Sequence, residues 1–118
     1  DYPDFLIASS EWFAFIPAKE YFDEPGDHAD ELETSVMMHY HPELVNLDEA
    51  GDGNYKKFAS QMLNEKVAWI PRNWQNVSQD TGIGNPKKAS AGKGKKYAEA
   101  VVAKYALLFE ELVHKELY

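Results

Sequence analysis

Hydrophobic positions occur along this chain as three short runs and one long periodic stretch. The runs lie at residues 5–8, 12–16 and 67–70 and are rich in residues that favour strands. We therefore predict buried strands there, the first two runs forming either one interrupted strand or two strands. From about residue 91 to the C-terminus apolar residues recur every three or four positions, which predicts one long amphipathic helix. Its apolar stripe is wide enough to pack on a sheet and contains Tyr97, Ala98, Val101, Val102, Tyr105, Leu108, Phe109, Leu112 and Val113.

A shorter helix is predicted from about residue 31 to residue 40. Asp30 is a favourable N-cap residue, and Glu33 three positions later completes a capping box. Pro42 disfavours helical geometry at His41, so the helix is expected to end just before it.

Two loops complete the predicted order of elements. Residues 17–29 contain Pro25 and Gly26 and lead into the shorter helix, whereas residues 71–90 are rich in Asn, Gly, Ser and Pro. Strand, loop, helix, strand, loop, helix is the order of an α/β layer fold, in which ligands bind at the carboxyl ends of strands. A length of 118 residues is enough for one domain or less.

Composition narrows the class of protein. The hydrophobic fraction of 44% is typical of a folded chain, and the lack of cysteine excludes disulfides and thiolate chemistry. This fits the cytoplasm, which is the predicted location. A formal charge of −8 argues against nucleic acid and membrane surfaces as partners, because both attract basic proteins. No apolar run approaches the roughly 20 residues that span a bilayer.

Basic residues nevertheless cluster around the start of the long helix. Cations there oppose the helix dipole, so an anionic neighbour is expected to compensate them. The favoured interpretation is a solvated face with acidic contacts from another subunit, and the alternative is an anion site. The cluster consists of Lys87, Lys88, Lys93, Lys95 and Lys96.

The strongest candidate for a catalytic residue is His28, which follows Asp27 and lies two residues before the N-cap of the shorter helix. The positive end of the helix dipole favours a neutral imidazole, whereas Asp27 and Glu24 favour the charged form. Such a balance suits proton transfer near neutral pH. The alternative is that Asp30 and Glu33 only cap the helix and His28 is an ordinary loop residue.

Other motifs carry less weight. His39 and His41 form a His-x-His pair that could chelate zinc, but positions two apart at a helix end point in different directions, so surface histidines are favoured. Residues 46–57 resemble a calcium-binding loop, but Ala50 and Lys57 stand where that pattern needs an oxygen ligand and a bidentate Glu, so we reject it. Trp69 is predicted to lie in the core, and Trp74 is a possible wall of a substrate pocket or a contact with another subunit.

Two ordered motifs point to a known family. Residues 27–35 read Asp-His-Ala-Asp-Glu-Leu-Glu-Thr-Ser, and an apolar turn and Pro-Glu-Leu-Val at 42–45 follow. Residues 81–90 and the pair Lys93-Gly94 form the second motif. Together, from about Trp12 to the final helix, they resemble the creatininase family. Asp30 stands where the family has glycine, and residues 21–26 lack the tryptophan of true creatinine hydrolases, which implies a different substrate pocket.

This resemblance implies a layered α/β/α fold with a mostly parallel sheet, of which the chain would be the C-terminal half. It implies a metal-dependent hydrolase of a cyclic or linear amide, in which His28 transfers a proton at the substrate amide with Asp27 beside it. Glu33 and Asp30 would cap the helix and position the catalytic group without contacting the substrate themselves. The alternative is a non-catalytic subunit or assembly domain that keeps the fold.

The resemblance also sets expectations about cofactors and partners. The family's metal ligands lie mainly in its N-terminal half, in Glu-x-His and His-x-Glu segments that are not recognisable here. We therefore expect a divalent metal (Zn, Mn or Fe) in the whole protein and none on this chain alone. The expected partners are a small-molecule amide and either the missing half or further copies.

Overall fold

The computed structural model describes residues 7–116. Within these residues four α-helices follow one another: α1 (Glu31–Tyr40), α2 (Gln61–Asn64), α3 (Trp74–Val77) and α4 (Ala91–His114). Single turns of 3-10 helix lie at Ala18–Glu20, Pro42–Leu44 and Leu47–Glu49. The predicted bounds of both long elements, α1 and the start of α4, are confirmed.

The start of α1 is fixed by carboxylates on both sides of the first turn. Asp30 Oδ1 accepts a hydrogen bond from the Glu33 backbone N–H at 2.9 Å, as the capping box predicts. Glu33 Oε2 accepts from the N–H of Ala29 at 2.6 Å, one residue before the N-cap. At the other end the His41 N–H donates to the Met37 carbonyl, which closes the helix before Pro42.

The helices α1 and α4 pack closely against each other. Ser90 caps α4 by accepting from the Lys93 N–H, and its own N–H donates to Ser35 Oγ of α1 at 3.1 Å. At Gly94 the backbones approach so closely that a β-carbon would lie 1.9 Å from the Ser35 carbonyl oxygen. Glycine is needed there because no side chain fits between the helices.

The core lies between α1, the first three turns of α4 and the segment 12–22. Tyr97 is fully buried at its centre, and its hydroxyl donates to the Phe13 or Ile16 carbonyl oxygen, each 3.2 Å away. The Tyr97 ring therefore packs among apolar side chains while its hydroxyl keeps a hydrogen-bond partner. The buried members of this cluster are Ile16, Phe22, Leu32, Tyr97 and Val101.

The described residues form no β-sheet. Residues 12–16 adopt turns, residues 67–70 are irregular, and Trp69 is 82% exposed, so both predicted strands and the core position of Trp69 are wrong. Of the first predicted strand, residues 5–6 lie outside the described part, and 7–8 have no regular structure. The α4 stripe packs on α1 rather than on a sheet. The physical reason is that a strand is stabilised by a neighbouring strand, which these runs do not find within residues 7–116.

Two isolated antiparallel bridges take the place of a sheet. One joins His28 to Ile83 and the other joins Tyr55 to Ser78. Among residues 7–116, none of the helices combines the length and the apolar character needed to cross a membrane.

Candidate active site

The backbone of His28 is bound to a distant segment of the chain. Its backbone N–H donates to the Ile83 carbonyl at 3.1 Å, and the Ile83 N–H donates back to the His28 carbonyl at 2.8 Å. The Asp27 N–H donates to the same Ile83 oxygen at 2.7 Å. Because Ile83 is buried, the backbone of His28 is held by a segment 55 residues further along the chain.

The loop that presents Ile83 is itself shaped by Asp80. Its Oδ1 accepts from the Gly82 N–H at 3.0 Å and from the Ser78 hydroxyl at 3.1 Å. These bonds, with the backbone N–H of Gly82 first, lower the pKa of Asp80. Thr81, which lies between Asp80 and Gly82, has a φ of +66°, a strained backbone conformation for a β-branched residue.

The imidazole of His28 faces Glu33 and Trp74. Nδ1 lies 3.5 Å from Glu33 Oε2, the oxygen that also accepts from the Ala29 N–H. The Trp74 ring centroid lies 5.1 Å from the imidazole centroid, with the planes tilted by 51°. The side chain of His28 remains 45% exposed, so the imidazole is held but accessible.

Asp27 has a different partner from the one its position beside His28 suggests. Arg72 Nη2 lies 2.6 Å from Asp27 Oδ1, and the guanidinium carbon of Arg72 lies 5.5 Å from the centroid of the Trp74 ring. The carboxylate that pairs with the imidazole is that of Glu33. Sequence reasoning missed Arg72, although a cation two residues before Trp74 in a loop otherwise rich in small polar residues was a usable signal.

Asp30 joins the loop before the site to α1. Its side chain is buried, and while Oδ1 caps the helix, Oδ2 accepts from the Gly26 N–H at 2.5 Å. Ala29 between Asp30 and His28 has a φ of +48°, in the left-handed region that a β-carbon disfavours. This strained residue directs the chain from the His28 bridge into the helix.

The basic cluster at the start of α4 is paired within the same chain. Lys93 Nζ lies 2.7 Å from Asp23 Oδ2 and also binds the fully buried Glu31, while Lys88 Nζ lies 2.6 Å from Glu24 Oε1. Hydrogen bonding to Asp23 and then Glu31 raises the pKa of Lys93, and the Lys93 ammonium lowers the pKa of Asp23. Acidic residues of this chain therefore compensate Lys88 and Lys93, and acidic contacts from another subunit stay a prediction.

A cleft of about 740 Å³ opens beside Glu33. Val36, Met37 and Tyr40 of α1 line one wall, and parts of residues 44–53 and 80–86 line the others. Ala29 and Glu33 line the cleft, whereas His28 and Trp74 are not among its lining residues. The imidazole is connected to this space only through Glu33, 3.5 Å away.

No part of residues 7–116 brings three or more His, Asp or Glu side chains into a geometry that could hold a metal ion. His41 Nδ1 pairs with Glu43 at 3.2 Å, and the His39 ring lies 4.6 Å from that of Tyr40. His39 and His41 therefore do not form a metal site with other side chains of the described residues.

This chain is similar to proteins of a known family. The family model for creatininase (creatinine amidohydrolase) matches residues 5–109. A crystal structure of a "putative creatinine amidohydrolase" from Bacteroides fragilis is similar at a TM-score of 0.91 and 59% sequence identity. The match covers 99% of this chain and 47% of that one, so this chain spans about half the length of the Bacteroides protein. None of the curated proteins matches the chain.

Proposed function

This chain belongs to the creatininase family, and from that premise we propose that it is the C-terminal half of an amidohydrolase that cleaves a C–N bond of a cyclic or linear amide. The observation that carries the proposal is the environment of His28. Its backbone is bound to Ile83, its Nδ1 lies 3.5 Å from Glu33, and its side chain stays accessible, while Glu33 itself lines a cleft.

Amide cleavage requires a proton on the departing nitrogen, since an amide anion is a poor leaving group. With Nδ1 directed to Glu33, Nε2 is the atom of His28 that is available to donate this proton. The Glu33 carboxylate stabilises the imidazolium before transfer, as the third member of an acid–base triad does. Asp27 acts on the imidazole indirectly, through its ion pair with Arg72.

The cleft would receive the part of the substrate that does not react. Trp74 does not line this cleft, and it would contact the substrate only near the scissile bond, because its ring lies against the imidazole. Glu33 would stand between the acid group and the apolar wall formed by α1.

The remaining features of the enzyme are proposed for the whole protein. The divalent metal (Zn, Mn or Fe) implied by the family would be held by residues outside this chain, and calorimetric titration of the chain with zinc should then show no stoichiometric micromolar site. The mostly parallel sheet of the layered fold would likewise be completed outside residues 7–116. Cytoplasmic location is proposed from the lack of cysteine.

A second candidate function is assembly without catalysis. It is favoured by the apolar residues of the second half of α4, which lie exposed on the described part of the chain, as Phe109 does at 61%. This alternative predicts no role for His28 in turnover.

The test uses the full-length protein and an amide substrate. His28→Ala should lower kcat by about a hundredfold or more, in the range of general acid–base groups, with metal content unchanged. Glu33→Gln keeps an oxygen for the Ala29 N–H but removes the charge facing the imidazole, so it should lower kcat less. Asp27→Asn should also cost less than His28→Ala.

His114→Ala is the matched control, because this histidine is exposed near the end of α4. It should leave kcat unchanged. Near-normal turnover for His28→Ala, with a fall in melting temperature like that of a capping variant, would refute the proposal and favour the assembly role.

A further inference from the structure

Arg72 is the sole arginine among the 12 basic residues of this chain. It connects two segments 45 residues apart, since its Nη2 lies 2.6 Å from Asp27 Oδ1. Its guanidinium also lies over the Trp74 ring, and that ring lies against the His28 imidazole. A guanidinium suits both tasks because it is planar, permanently charged and able to stack on an aromatic face.

The contact between His28 and Glu33 does not hold the imidazole firmly by itself. A separation of 3.5 Å exceeds the usual 2.7–3.2 Å of a hydrogen bond from nitrogen to oxygen, and the His28 side chain is about half exposed. The Trp74 ring, with its centroid 5.1 Å from that of the imidazole, is therefore a second neighbour that limits rotation of the imidazole.

Trp74 in turn lies on a weak element. It begins α3, a helix of four residues whose N-cap Asn73 makes no side-chain capping bond. So short a helix is not stable on its own. Its far end is tied down by the hydrogen bond from the Lys56 N–H to the Val77 carbonyl at 2.7 Å, but the end that carries Trp74 is tied by Arg72 to Asp27.

We propose that Arg72 is a positioning residue that, through its ion pair with Asp27, holds Trp74 against the His28 imidazole and so fixes the direction of proton transfer. The inference rests on the proposed role of His28. It gives Asp27 a defined task, which is to anchor Arg72.

The test uses the full-length protein and three variants, Arg72→Ala, Arg72→Lys and Asp27→Asn. Arg72→Ala should lower kcat by about tenfold, less than loss of the acid itself, with little change in KM. Arg72→Lys should restore kcat only partly, because a lysine keeps the charge but not the planar stacking group.

Two further measurements report positioning directly. Diethyl pyrocarbonate should modify His28 several times faster in Arg72→Ala than in the wild type, when followed by mass spectrometry of the peptide that contains it. In a double-mutant cycle, Arg72→Ala combined with Asp27→Asn should cost no more than the worse single change, since the two groups act as one unit. Lys57→Ala, at an exposed lysine, is the control and should change neither measurement.

The two proposals fail in different ways. If His28→Ala leaves turnover intact, the proposed function is wrong. If His28→Ala abolishes turnover but Arg72→Ala and Asp27→Asn change neither kcat nor the modification rate of His28, only the positioning role is wrong. If Arg72→Ala does not fold, Arg72→Lys and Asp27→Asn decide the question by the same two measurements.

Discussion

Asp80 is a single residue whose charge shapes the support of the candidate site. Its carboxylate accepts from the Gly82 N–H and the Ser78 hydroxyl, and these bonds lower its pKa below the ordinary value of 3.8. Because the pKa is lower in the folded state than in the unfolded state, the carboxylate stabilises the fold fully above about pH 3.8. That contribution is lost as the pH falls through the folded pKa. The pKa of Asp23 is likewise lowered, by its hydrogen bond from Lys93, so its contribution to stability is also lost on acidification.

We therefore predict that Asp80→Asn makes stability less sensitive to acid. Between about pH 5 and about pH 3 the wild type should lose more free energy of unfolding than the variant, which lacks the titrating group. Urea midpoints measured across this range test the difference, and superimposable pH profiles would contradict it.

Asp23→Asn provides a useful comparison. Its pKa is lowered by a hydrogen bond from Lys93 and then by the charge of that partly exposed ammonium. Salt at 1 M shortens the Debye length to about 3 Å, so it should weaken the charge part of this contribution. The contribution of Asp80 comes from fixed hydrogen bonds and should persist in salt.

At the scale of elements, the crossing of α1 and α4 depends on one glycine. A β-carbon at residue 94 would lie 1.9 Å from the Ser35 carbonyl oxygen and 2.7 Å from the Val36 nitrogen, both backbone atoms. Backbone cannot move aside without separating the helices. At Gly92, two residues earlier on the same helix, a β-carbon would meet nothing within 4 Å.

These two glycines form a matched pair for mutation. Gly94→Ala should lower the free energy of unfolding by about 1–3 kcal/mol or more, as overpacking does. Gly92→Ala should raise it by about 0.5 kcal/mol, because alanine loses less conformational entropy in a helix. Thermal or urea unfolding of both variants tests the prediction, and equal effects would show that the helices do not cross as described.

At the scale of the whole molecule, the apolar stripe of α4 is only half covered. Tyr97 and Val101 in its first half are buried, whereas Phe109 and Leu112 further along are exposed by 61% and 36%. Residues spaced in this way lie on one face of a helix. A continuous apolar surface of this kind marks an interface, and we expect the missing half of the fold or another copy to cover it.

We predict that this chain by itself associates through the second half of the stripe. Phe109→Glu should shift sedimentation toward the monomer while leaving helical circular dichroism unchanged, because this side chain is exposed within the chain. Ala103→Glu introduces the same charge at an exposed position off the stripe and is the control. A sharp monomer peak for the wild type, with cooperative unfolding, would contradict the prediction.

Local features of this protein could be predicted from its sequence. The N-cap Asp30, the end of α1 before Pro42 and the start of α4 after Ser90 were all readable, because caps and breakers act on backbone within about four residues. The family could be predicted as well, because the motifs that identify it are continuous stretches of sequence and need no tertiary contact to be recognised. The capping role of Glu33 was also predicted, although its bond goes to Ala29 and not to the N-cap.

The tertiary structure alone decided which groups meet at the site. Ile83 against His28, Arg72 against Asp27 and Lys93 against Asp23 join segments 45 to 70 residues apart, so no local spacing rule could pair them. The fate of the apolar runs was equally non-local. A run of strand-forming residues becomes a strand only beside another strand, and residues 12–16 contact α4 instead, while Trp69 at residues 67–70 stays in solvent. Sequence thus determined the two long helices, α1 and α4, whose hydrogen bonds are internal, but not the single turns α2 and α3. Tertiary contacts decided everything that needs a distant partner.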